Sequence, residues 1–180
     1  MTDSPATAHP PDLVSRDVLA RGFAALRIFF GLIWLSNGLA KLIGKGAYDL
    51  GFATFGLLDL GTAQFIANDA STRTYLGPLG AFYQNVVLPN WGAFGAFLTI
   101  AEIAAGLALS FGFLTRAAAL GTLLLIGPIW AMFLFSGVTQ YVWTYPVDLF
   151  PLLLLAIVPA GRTAGLDARL AALFGSRWPF

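Results

Sequence analysis

Residues 117–138, AAALGTLLLIGPIWAMFLFSGV, carry no charged side chain at all. A helix needs about 20 mostly apolar residues to cross a bilayer, and this run is long enough. Three more runs of similar length accompany it: about Leu19 to Ile43, Trp91 to Phe113 with Glu102 as its only charge, and Tyr141 to Ala160 with Asp148 as its only charge. Backbone polar groups in hydrocarbon must be satisfied within the segment, so these runs are predicted to be helices. The period-2 alternation of a membrane barrel is missing. The sequence therefore predicts an all-α integral membrane protein, a four-transmembrane-helix bundle over residues 19–162.

Composition agrees. Of 180 residues, 58% are hydrophobic and 11% charged, against about 25% charged in a soluble domain. The mean hydropathy is +0.77. The net charge of +1 implies no attraction to nucleic acid. Cysteine is absent and the only histidine is His9. Thiol chemistry, iron–sulfur ligation and an intramembrane bis-His haem are thereby excluded, and no metal site is expected. A redox role would need an organic cofactor or metals held by partners.

The connections are uneven. Residues 1–18 read as a disordered polar tail. Spans two and three are joined by a tight turn, and spans three and four by a short uncharged one with Gln140 at the outer rim. Between spans one and two lies a long outer loop, 44–90. Its aromatic content and Pro78 and Pro89 predict short amphipathic pieces lying on the membrane or folded over the bundle. Arg16, Arg21, Arg116, Arg162, Arg169 and Arg177 fall on one side. Lys41, Lys45 and Arg73 fall on the other, mixed with Asp49, Asp59 and Asp69. The positive-inside rule then puts both termini in the cytoplasm of a prokaryote, with the chain in its plasma membrane and the loop outside. Residues 163–180 place Leu166, Leu170, Leu173 and Phe174 on one stripe, an interfacial C-terminal helix. A cleaved signal peptide ending at "GLA" before Lys41 is the alternative for span one. The apolar stretch is long for a signal core.

The intramembrane polar residues are the candidate site. Counting about 1.5 Å per residue, Glu102 falls near the midplane, Arg27 roughly 10 Å inside the inner boundary, and Asn37, Lys41 and Asp148 in the outer third. Charges at such depths cost about 2.5–3.5 kcal/mol and should find partners. Two groupings are expected: Arg27 with Glu102, and Asn37 and Lys41 with Asp148. Asn37 and Lys41 are four apart and share a helix face. The plain alternative is that these groups only join helices, or that Lys41 snorkels to the interface. Small residues such as Gly31, Gly38 and Gly106 are expected to let helices approach closely. Pro128, Pro146 and Pro151 are expected to kink spans three and four.

Three stretches, "LRIFFGLIWLSNGLAKL", "IAEIAAGLALSFGFLTRAAAL" and "GRTAGLD", resemble the DoxX/DoxD membrane family, over roughly Leu26 to Asp167. The marks are Gly31, Gly38 and Lys41 at the end of the first helix, then Glu102, Gly106, Gly112, Thr115 and Arg116. The long outer loop and "GRTAGLD" are closer to the DoxD type. The resemblance implies a four-helix fold and, for DoxD-type proteins, association with thiosulfate:quinone oxidoreductase. The chain carries no fused DoxA-like portion, so that activity would need a second polypeptide.

The expected function is a membrane subunit of a quinone-linked oxidoreductase. Quinone is the expected cofactor, Glu102 would handle protons, Arg27 would tune it, and Asn37, Lys41 and Asp148 would hold the head group. Expected partners are the lipid bilayer and a second oxidoreductase subunit, with self-association left open. A non-catalytic scaffold or assembly partner of a redox complex is the rival. A small-solute transporter is disfavoured, since four helices without an inverted repeat leave little room for alternating access.

Overall fold

The computed structural model describes residues 15–44, 48–49, 54–55, 58–137 and 144–180. Expectations for the tail before residue 15, for Lys45 and for Gln140 lie outside the described residues. Apart from a minimal antiparallel ribbon, Tyr48–Asp49 with Thr54–Phe55, the described elements are helical. They run α1 Arg16–Ile43, α2 Leu60–Arg73, α3 Gly77–Phe82, α4 Trp91–Phe111, α5 Thr115–Leu134, α6 Thr144–Ile157 and α7 Asp167–Phe174. A π-helical turn, Tyr83–Val87, follows α3, and a 3₁₀ turn, Ala160–Arg162, precedes α7.

Three of these helices, α1, α4 and α5, are long and apolar enough to cross a membrane. The fourth apolar helix, α6, is shorter. Their outward faces stay apolar: Ile100 of α4 is 67% exposed and Leu124 of α5 is 70% exposed. Such surfaces suit lipid, and the chain reads as a membrane protein.

Helix ends follow local chemistry. α1 begins at Arg16 rather than Leu19, because the Ser15 hydroxyl accepts a hydrogen bond from the Val18 N–H and Asp17 complements the helix dipole. The segment 16–18 is therefore helix and not tail. α4 stops at Phe111, two residues early, because Gly112 adopts a left-handed φ of 65° that a side chain would resist. α5 runs from Thr115 to Leu134 rather than from Ala117 to Val138. Pro128 and Pro151 lie inside α5 and α6, where each removes one backbone donor.

α1 packs along α4, and α5 packs beside both α4 and α6. One core joins Phe30 and Trp34 of α1, Leu109 of α4, Ala119 of α5 and Leu152 and Leu155 of α6. The helices of the long loop fold onto the bundle. Ala70 of α2 packs with Met132 and Phe133 of α5, and Leu79 and Tyr83 close over them. The Tyr75 N–H donates to the Phe135 carbonyl at 2.6 Å, which ties the α2–α3 connection to the end of α5. At the other end of the chain, Leu173 and Phe174 of α7 are exposed, and Phe174 stacks on Phe180.

Candidate functional site

The buried residues of α1 include Arg27, Phe30, Gly31, Trp34, Gly38 and Lys41, in steps of one, three and four that keep one face inward. On α4 the buried set is Gly95, Thr99, Glu102, Gly106 and Leu109, again one face. The two faces meet antiparallel. A Cβ on Gly31 would strike Ser110, one on Gly38 would strike Glu102 and Ile103, and one on Gly106 would strike the backbone of Leu35. Glycine at these points lets the helices close to backbone contact.

This register decides which charges meet. Lys41 lies one turn beyond Gly38, and its side chain leans back toward the start of α1. Glu102 leans toward the start of α4, so the two approach from opposite directions. Lys41 Nζ stands 2.8 Å from Glu102 Oε2, with the side chains 1% and 6% exposed. Lys41 Nζ also donates to the Leu58 carbonyl at 2.8 Å. Leu58 precedes Asp59, whose carboxylate caps α2 by accepting from the Thr62 N–H at 2.7 Å. That bond, more than any other influence, holds the Asp59 carboxyl below its usual range; Lys41 adds a smaller pull in the same direction.

Arg27 does not reach Glu102. Leu109, its nearest partner on α4, lies seven residues past Glu102, about 10 Å along the axis. The guanidinium, fully buried, faces carbonyls instead. Nη1 donates to Leu109 O at 2.6 Å and Ser110 O at 3.0 Å, and Nη2 to Ala164 O at 3.0 Å and Thr163 O at 3.4 Å. The last carbonyls of a helix lack intrahelical partners, and the negative end of the dipole favours a cation. Asp167 completes this corner. Its carboxylate accepts from Leu114 N at 2.6 Å and Thr115 N at 2.9 Å, capping α5 from across the fold. A Cβ on Gly112 would strike the Arg27 guanidinium. The expected pairing of Arg27 with Glu102 is thus replaced by Lys41 with Glu102.

The second expected grouping is also absent. Asp148 on α6 and Asn37 on α1 are half-buried, and among the described residues no hydrogen bond or ion pair joins either to the other or to Lys41.

A chamber of about 290 Å³ lies between α1, α2, α4 and α5, lined by neither Lys41 nor Glu102. Its walls come from five segments: Trp34 of α1, Leu58 with Ile66 and Ala67 of α2, Phe82 and Tyr83, Trp91 with Phe94 and Leu98 of α4, and Leu124 to Ile129 of α5 without Gly127. Leu98 is one turn from Glu102, and Leu58 gives Lys41 its second acceptor. A larger groove of about 690 Å³ runs between α4 and α5, floored by Ala101, Ala104, Ala105, Ala108 and Gly121. Phe97 and Leu125 line both spaces, so the two adjoin. The arrangement can take a flat ring against aromatic walls, with a flexible apolar chain laid along the groove.

Comparison of the chain with protein-family models, with curated proteins and with solved structures gives no match.

The aromatic chamber has little trace in the sequence. Its one visible signal is Trp34, which shares the inward stripe with Gly31 and Gly38. The π turn at Tyr83–Val87, a feature that often marks functional sites, has no sequence signature of its own.

Proposed function

We propose that this chain is a membrane subunit of a quinone-linked oxidoreductase, of the DoxX/DoxD type. It crosses a prokaryotic plasma membrane four times, as a four-helix bundle with both termini inside. α1, α4 and α5 are full spans. α6, 14 residues long and so about 21 Å, is the short fourth, which a locally thinned bilayer accommodates. The single observation that carries the reading is the aromatic chamber adjoining an apolar groove, with Leu98 in the chamber wall one turn from the buried Glu102.

The residues fit such a cofactor. Ligand pockets run from about 300 to 1,000 Å³, so the chamber is sized for a ring with its first substituents. A longer isoprenoid chain must leave it, and the groove past Phe97 and Leu125 is the apolar path. A quinone bound there would supply a two-electron, two-proton acceptor for reducing equivalents delivered by a partner subunit. Lys41 donates to the Leu58 carbonyl and pairs by charge with Glu102. It lines neither space, so its positive charge would favour a ligand edge that becomes electron-rich through the field rather than by contact. Glu102 is the group able to hold and pass a proton at that level. Arg27, held by four carbonyls, is structural in this reading: it fastens the inner corner.

One observation favours the scaffold alternative. The Arg27–Asp167 corner is built wholly of capping interactions, so part of the polar seam joins helices and does nothing else. Affinity purification from native membranes, followed by solvent extraction, separates the two readings. Near-stoichiometric quinone supports the proposal. A stoichiometric protein partner with no quinone replaces it with the scaffold.

A further inference from the structure

The two ends of α2 are fastened to the bundle unequally. At the far end, Ala70 is fully buried among Met132 and Phe133 of α5. Gln84 Nε2 donates to Ser71 Oγ at 2.5 Å, and the Tyr75 N–H donates to Phe135 O at 2.6 Å. These ties hold the extended Thr74 and its neighbours against the end of α5. The near end has much less. Leu60 rests against Gly95 of α4, where a Cβ would come within 2.8 Å of Leu60 Cδ1. Among the described residues, one hydrogen bond joins this end to the bundle, from Lys41 Nζ to Leu58 O at 2.8 Å. Between the two ends, Leu58, Ala63, Ile66 and Ala67 form one wall of the chamber.

We infer that α2 is a lid over the chamber, hinged at Thr74 and Tyr75 and latched at its near end by Lys41. The inference goes beyond the quinone reading and holds whatever the chamber takes. Ala63, Ile66 and Ala67 recur in steps of three and one, so a single face of α2 closes the space. Local opening starts where buried contacts are fewest. Swinging the near end outward breaks one hydrogen bond and lifts one leucine off a glycine. Moving the far end would instead take apart the Ala70–Met132–Phe133 core. When the latch opens, the ammonium is not left alone, because Glu102 Oε2 stands 2.8 Å from it. Glu102 thus keeps Lys41 in place for the lid to close on again. Lys41 is a positioning residue here, acting on the chamber through α2.

The chain has no cysteine, so one introduced thiol reports opening at its own position. Ala67→Cys lies in the chamber wall and Ala70→Cys in the far anchor; the native side chains are 3% and 0% exposed. The full chain in detergent is treated with a small maleimide, and the rate of modification is measured. In an otherwise native chain Ala67→Cys should react faster than Ala70→Cys. Equal rates would mean that α2 opens only by unfolding, and would overturn the lid. Adding Lys41→Met together with Glu102→Leu removes the latch without leaving a lone buried charge. Losing one hydrogen bond to a charged group should speed modification of Ala67→Cys about ten- to hundredfold and leave Ala70→Cys at its former rate. An unchanged rate at Ala67→Cys overturns the latch. An equal rise at both positions shows general loosening and overturns it as well. These rates are read with no ligand present, so they decide the lid separately from the quinone content that decides the proposed function.

Discussion

Lys41 of α1 and Glu102 of α4 form a buried ion pair at 2.8 Å, and the same ammonium holds the Leu58 carbonyl at 2.8 Å. One side chain therefore joins two helices of the bundle to the segment that opens α2. Removing one member of a buried pair leaves the other charge uncompensated, at a cost of about 3–5 kcal/mol. Lys41→Met alone and Glu102→Leu alone should each lower the detergent melting temperature sharply. The double variant should recover most of the loss. If it melts below both single variants, the pair contributes nothing to folding.

Arg27 should behave as a structural residue. Arg27→Lys keeps the charge but cannot present two Nη groups to four carbonyls. Because hydrogen bonds to charged groups contribute about 1.5–3 kcal/mol each, the loss should be at least about 3 kcal/mol in melting experiments. Quinone content per folded molecule should stay at the wild-type level. A variant that folds normally and loses quinone would return Arg27 to the ligand site.

The Asp59 cap gives a pH dependence. Its carboxyl is held below its usual value by the Thr62 N–H, so the charged form is favoured in the folded chain. The cap stabilises α2 at every pH above the ordinary carboxylate value of about 3.9. That contribution fades as pH falls through the lower folded-state value. The Thr62 amide resonance should titrate below the ordinary carboxylate range, and Asp59→Asn should abolish the titration. A midpoint at or above the ordinary value contradicts this account of the cap.

Topology is tested by labelling. Cysteines introduced at Thr72 and at Ser176 should react with an impermeant thiol reagent on opposite sides of sealed cells, Thr72 from outside. Labelling of both from outside would remove the arrangement with both termini inside.

The sequence by itself determined where the helices lie. Hydrocarbon leaves a backbone no alternative to internal hydrogen bonding, so the four apolar runs are helical where described, the first three within a few residues of their expected bounds. The displaced ends trace to local effects, the Ser15 cap and the left-handed Gly112. Steps of three and four also put Arg27 and Lys41 on the inward side of α1. What the sequence could not set was who meets whom. Pairing depends on how far α1 slides along α4, and that offset is fixed by three backbone contacts, at Gly31, Gly38 and Gly106. Counting depth alone leaves Arg27 long enough to reach up toward Glu102. The true register puts Arg27 at the end of α4, where its partners are carbonyls, which every residue has and no sequence pattern advertises. The chamber lies beyond sequence for the same reason. Its walls come from five segments, and only their packing brings Trp34, Tyr83 and Trp91 around one space.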